Sequence, residues 1–156
     1  MRRSGVLLMG LAAAVGTMLM AGPAAALDEQ DLQRLQQSGD CQDCDFSGGE
    51  LAGARLTDSR LMGSNFEGAD LRGAAFVGVD LSNADLRDVD LSGAVIQNTW
   101  LRGAQLGGAV FNGTVFAGAD LTGARGLTQW QLNAACDEQG SNPSAVPIPL
   151  SLPPCR

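Results

Sequence analysis

From Phe46 to Leu121 a large apolar side chain stands at every fifth position: Phe46, Leu51, Leu56, Leu61, Phe66, Leu71, Phe76, Leu81, Leu86, Leu91, Ile96, Leu101, Leu106, Phe111, Phe116 and Leu121. Sixteen consecutive matches leave few structures open. A strand faces its core every second residue and an α-helix every 3.6. Five steps of about 100° overshoot a helical turn by roughly 140°, so a helix would scatter these side chains around its axis. A chain that turns a corner every five residues gathers them on one line. The residue two before each large one is small or of modest size, running Cys44, Gly49, Ala54, Ser59, Ser64, Ala69 and onward to Ala119. Strand alternation points it inward beside the large one. The residue two after is Gly, Asn or Asp throughout Gly48 to Gly108, and these are turn formers.

The unit occurs literally as Ala69-Asp70-Leu71, Ala84-Asp85-Leu86 and Ala119-Asp120-Leu121. It resembles the A-(D/N)-L-x-x unit of the pentapeptide-repeat family over about residues 44 to 125. The resemblance implies an all-β fold, a right-handed quadrilateral β-helix in which four units make one coil. About four coils then stack some 4.8 Å apart into a rod roughly 19 Å long. The expected organisation is a signal peptide at 1–26, an N-terminal capping helix at 27–40, the solenoid at 41–125 and a C-terminal cap with a Pro-rich tail at 126–156.

Residues 1–26 carry Arg2 and Arg3, an apolar run from Val6 to Met20, and Ala24-Ala25-Ala26 as an A-x-A cleavage site. The run falls short of the ~20 residues a spanning helix needs, so the expectation is cleavage, no stable membrane anchor, and a periplasmic or secreted product. Solenoid ends need covering, because they expose core and unpaired backbone. Asp28 and Gly39 bracket a short helix whose Leu32 and Leu35 would lie over the first coil. Thr128-Gln129-Trp130-Gln131 has the form of a capping box. It opens a second helix, Gln129 to Cys136, with Trp130 or Leu132 plugging the far end. Pro143, Pro147, Pro149, Pro153 and Pro154 then mark irregular extended chain.

Four cysteines allow three pairings. In the rod that the resemblance implies, Cys41 and Cys44 sit at one end, with Cys136 and Cys155 at the other. Disulfide Cα atoms lie within about 7 Å, which leaves Cys41–Cys44 and Cys136–Cys155. The Cys-x-x-Cys start and the Cys…Pro-Cys ending also look like those of exported members of the family. A thiol-redox role for Cys41 and Cys44 is the competing reading. The acids Asp40, Asp43 and Asp45 around them would raise a thiol pKa and oppose it.

The sequence holds no His and no Lys; all ten basic residues are Arg. The commonest general base and metal ligand is therefore missing, and no nucleophile stands with a base. The expectation is a non-enzyme with no catalytic residues, no metal and no cofactor. Formal charge is −7, and −9 without the first 26 residues, which argues against nucleic-acid binding through phosphates. With four units per coil, residues twenty apart share a wall. Glu50, Asp70 and Asp90 then form a carboxylate column, read as a solvated face moderated by Arg72 and Arg87 rather than a Ca²⁺ site. The next wall is apolar: Ala75, Val77, Val95, Val115 and Ala117, with Val110 and Trp100 on the flanking walls. These seven are the candidate protein-binding residues. The favoured function is an exported scaffold or binding module with an unknown protein partner or a homodimer. The family resemblance also raises an acidic DNA-mimic that protects topoisomerase, which an export signal contradicts.

Overall fold

The computed structural model describes residues 28–137 and 151–155. The segment read as an export signal, and Pro143, Pro147 and Pro149, lie outside them. The chain winds as a right-handed β-helix in which each wall residue pairs in parallel with the one twenty further on. The first wall is Asp45↔Asn65↔Asp85↔Gln105↔Arg125 and the second Glu50↔Asp70↔Asp90↔Val110. The fourth wall is Asp40↔Arg60↔Asp80↔Trp100↔Asp120. Only the third wall carries regular strands across the coils: β1 (Arg55–Thr57), β2 (Ala75–Val77), β3 (Val95–Gln97) and β4 (Val115–Ala117). A short β5 (Cys136–Asp137) extends this parallel sheet, in the order β1-β2-β3-β4-β5.

All sixteen axial side chains are at most 4% exposed. Rings meet along the axis, Phe46 stacking on Phe66 at 4.9 Å and Phe111 meeting Phe116 edge-on at 5.6 Å. Such pairs add about 0.5–1.5 kcal/mol beyond the area they bury. The inward polar residues are all bonded. Ser64 Oγ donates to the Cys41 carbonyl at 2.7 Å, and Thr114 Oγ1 to that of Leu91 at 2.7 Å. Among the described residues no buried side-chain nitrogen or oxygen lacks a partner, as close packing of polar groups demands.

Each corner turns on one left-handed residue. At Leu51–Ala54 the Ala54 N–H donates to the Leu51 carbonyl at 3.0 Å while Gly53 sits at φ 71°, the geometry of a type II turn. Asp43, Asp58, Asn83, Asp88 and Asn98 occupy the same position with φ between 48° and 58°. Asx residues tolerate it best after Gly. Twenty residues beyond each stands a glycine: Gly63, Gly78, Gly103, Gly108 and Gly118. The Asx Oδ1 leans over that glycine. Asp58 Oδ1 lies 2.6 Å, and Asn83 Oδ1 2.5 Å, from where a Cβ would stand on Gly78 and Gly103.

Both ends are closed. Helix α1 (Glu29–Ser38) starts at Asp28, whose carboxylate accepts the Gln30 N–H at 2.9 Å, and stops at Gly39 with φ 67°. Leu35 is buried over the first coil and Leu32 half-buried. Asp31 Oδ2 accepts the Asp45 N–H at 2.9 Å, capping an end-coil donor. At the other end α2 (Gln129–Asn133) carries the capping box at Thr128 and Gln131. It stops short of the expected Cys136, because the chain rejoins the coil. The Gly113 N–H donates to the Ala134 carbonyl at 2.8 Å and the Cys136 N–H to that of Thr114 at 3.0 Å. Leu132 is fully buried and closes the core, whereas Trp130 is 80% exposed. Residues two apart on a helix do not share a face, so only one of them could plug the end.

Candidate interaction surface

The residue before each large one faces outward, and where it is Asp or Asn it has a structural duty. Asp45, Asn65, Asp70, Asp80, Asp85, Asp90 and Asp120 each accept, through Oδ1, the backbone N–H two residues on, at 2.9–3.2 Å. This Asx turn fixes the wall's exit into the corner. It gives the Asp and Asn of the repeat a reason that sequence reasoning, which read them as solvation, missed. The signal was available: the slot holds Asp or Asn on three walls and never on the third.

The carboxylates are not a bare acidic ladder. Arg72 grips Asp70 through Nε at 2.9 Å and Nη2 at 2.6 Å, and these side-chain bonds hold the Asp70 carboxyl below its usual range. Arg87 does the same to Asp85 on the first wall, and reaches Glu67 of the preceding coil at 2.8 Å. It does not moderate the Glu50, Asp70, Asp90 column as expected, because its wall is the neighbouring one. Asp120 is lowered first by its side-chain hydrogen bond from Thr122, then by the Thr122 amide and Arg102, whose Nε lies 2.6 Å away. On the second wall, Asp90 accepts the Ser92 hydroxyl through Oδ1 at 2.5 Å.

The third wall presents Ala75, Val95 and Val115 in one register, Val95 38% exposed and the other two half-buried, with half-buried Val77 in the adjacent column opposite Gln97. Ala117 is only 3% exposed and contributes no surface. Here the strand ladder replaces the Asx turn, and β-branched residues suit a strand, so part of this apolar character is local. Trp100 and Val110 are different. They occupy Asx slots on the fourth and second walls without offering an acceptor, and are 44% and 38% exposed. Trp100 lies between Asp80 and Asp120 in its column.

Cys41 and Cys44 are joined, with Cα atoms 5.5 Å apart, and are 0% and 1% exposed. Asp31 lies beside them, but both sulfurs are already bonded to each other, and its carboxylate serves Asp45 and Arg34. Cys136 is joined to Cys155 at 4.8 Å. A recess between the end of α1 and the fourth wall is lined by Ser38, Gly39, Asp40, Asp58 and Arg60. The Ser38 hydroxyl there is engaged with the backbone of Arg34 and Asp40. Among the described residues no helix is long and apolar enough to cross a membrane.

A parallel solenoid turning four five-residue walls per coil, closed by two helices and two disulfides, defines a β-helical repeat protein. The family model described as pentapeptide repeats matches in eight copies, over residues 40–76, 65–99 and 90–125. The chain belongs to the pentapeptide-repeat family. Comparison with functionally curated proteins finds no match. Among solved structures, a pentapeptide repeat protein from the Arabidopsis thaliana thylakoid lumen is 37% identical, covering 60% of this chain and 72% of that one, with a TM-score of 0.31. One from Nostoc Pcc 7120 is 22% identical, covering 75% and 100%, with a TM-score of 0.43. QnrB1, a plasmid-mediated fluoroquinolone resistance protein, is 23% identical, covering 73% and 79%, with a TM-score of 0.40.

Proposed function

We propose that this protein is an exported, non-catalytic binding module that presents the corner between its third and fourth walls to a protein partner. The observation that carries the reading is Trp100, 44% exposed in a slot where Asp or Asn would otherwise supply an Asx turn. Val95 beside it and Val110 across the third wall, each 38% exposed, extend the apolar surface. Buried aromatics dominate interface energetics, and an aromatic held on a rigid coil loses little entropy on docking. Export is supported by the sequence of residues 1–26 and by two disulfides, which persist in oxidising compartments.

The size of the surface bears on what docks. Four strands about 4.8 Å apart and three residues wide make a face of roughly 200 Å². A standard interface covers about 800 Å² per partner. The third wall alone therefore suits a short segment of a partner better than a second rod. The DNA-mimic reading is less supported, since Arg72, Arg87 and Arg102 cover carboxylates that would have to imitate phosphates.

The test is affinity capture from the native envelope fraction with wild-type protein and with V95D/W100A, alongside sedimentation of both. A protein retained by the wild type and lost by the variant supports the reading. Capture that is unchanged in the variant, or a supercoiling assay in which the protein shields gyrase from inhibitor, overturns it.

A further inference from the structure

The two disulfides occupy opposite environments. Cys41 takes the axial position one unit before Phe46, and Cys44 takes the inward small slot. Their bridge is part of the core, sealed under α1, with Cys41 Sγ 3.2 Å from the Asp31 carbonyl and Cys44 Sγ 3.4 Å from Arg34. The bridge between Cys136 and Cys155 lies at the surface. Both residues are partly exposed, and the bond holds a terminal arm rather than a coil.

That arm is the outermost layer of the third-wall sheet. The Asp137 N–H donates to the Pro153 carbonyl at 2.8 Å, and the Cys155 N–H to the Asp137 carbonyl at 3.3 Å, so Pro154 pairs with Asp137. Proline carries no N–H, and Pro153-Pro154 therefore blunts a sheet edge that would otherwise offer a regular row of donors. Besides the disulfide, the arm is held by a reciprocal pair of bonds between the Gln129 amide and Ser151, at 2.8 and 3.1 Å, and by the half-buried Leu152.

We propose that Cys136–Cys155 is a reducible latch that locks this Pro-blunted arm over the end of the sheet, while Cys41–Cys44 is inert in the folded protein. A dithiol reductant attacks one sulfur of the partly exposed Cys136–Cys155 bond as a thiolate and forms a mixed disulfide. Its second thiol then displaces the protein cysteine, leaving two protein thiols and an oxidised cyclic disulfide. Reaction requires that the attacking thiolate reach a sulfur, and access separates the two bonds. With the bond opened, residues 151–155 leave Asp137 and the edge of β5 becomes available, while α2 and the coils stay in place.

The experiment treats the purified, oxidised protein with dithiothreitol under native conditions, quenches with N-ethylmaleimide and reads each cysteine by peptide mass spectrometry, with hydrogen exchange in parallel. Cys136 and Cys155 label at least tenfold faster than Cys41 and Cys44, and among the described residues faster exchange is confined to Asp137 and 151–155. C136S/C155S reproduces that exchange pattern without reductant. Labelling of all four cysteines at one rate overturns the proposal. So does faster exchange spreading into the last coil, or a double variant that exchanges like the oxidised protein.

Discussion

The corner glycines are not equivalent, and Gly73 and Gly78 separate two costs that are otherwise confounded. Both are left-handed, at φ 64° and 66°. A Cβ on Gly73 meets nothing within 4 Å, whereas one on Gly78 stands 2.6 Å from Asp58 Oδ1 and 3.7 Å from its Cγ. Gly73→Ala then bears only the left-handed penalty of about 1–2 kcal/mol, partly offset by about 0.4–1 kcal/mol from a stiffer unfolded chain. A net loss of about 1 kcal/mol follows. Gly78→Ala bears the same loss and also displaces Asp58, whose side chain yields at about 0.5–1.5 kcal/mol for a ~30° departure from its rotamer. Its total is about 2 kcal/mol. D58G removes the obstructing oxygen and relaxes a residue held at φ 50°, so D58G/G78A should return to about the Gly73→Ala value. The coupling in the double-mutant cycle is about 1 kcal/mol, read from urea or thermal midpoints, where it amounts to about 4 °C. If Gly78→Ala melts with Gly73→Ala, or D58G fails to restore it, the stacking of Asx on glycine has no energetic reality and the reasoning is refuted.

Gln131→Ala should cost about 1–3 kcal/mol, because the Leu106 and Ala109 carbonyls lose the Nε2 that reaches them at 3.1 and 2.9 Å and stay buried. Thermal melts together with hydrogen exchange in the last coil would show a loss centred there. Acid should weaken the fold through Asp70, Asp85 and Asp120. Their carboxyls are depressed in the folded state, so the pairs stabilise above the ordinary value of 3.8 and that contribution fades as pH falls below it. Melting temperatures between pH 5 and 2 should fall, and R72A and R87A should flatten the slope; equal slopes in all three proteins would remove these pairs as the cause.

Much of the fold was legible because its signal is periodic and cooperative. Sixteen axial positions follow from one spacing, and the twenty-residue register of the four walls from the coil that the family resemblance implies. Both disulfides follow from the separation of the ends. What escaped was local and three-dimensional. Residues 27–39 and 128–132 announce helices through caps. Nothing in the helical pattern of Gln129 to Asn133, however, says whether Trp130 or Leu132 turns inward. The burial of Ala117 depends on how the chain closes beyond the last coil. Arg87 serves Asp85 on its own wall rather than the neighbouring carboxylate column, and its further reach across a coil to Glu67 is a side-chain choice. At the interaction surface the residues were legible, but their meaning changed. Val95 and Val115 owe part of their character to strand formation, while Trp100 and Val110 replace Asx residues that hold the backbone elsewhere.

The repeating core and the repeating corners of this rod count in different units. The axis repeats every five residues, so a single inserted unit would still place a large side chain on the line. Everything beyond it would be rotated by a quarter-turn: the residues now following Trp100 up the fourth wall would continue another column, and Asn83 would no longer lean over Gly103 nor Asn98 over Gly118. A whole coil of twenty residues keeps every residue on its own wall and parts only the neighbours on either side of the insertion. Growth of this protein by duplication is thus quantised. Five residues change which face points at a partner, and only twenty lengthen the rod without turning it.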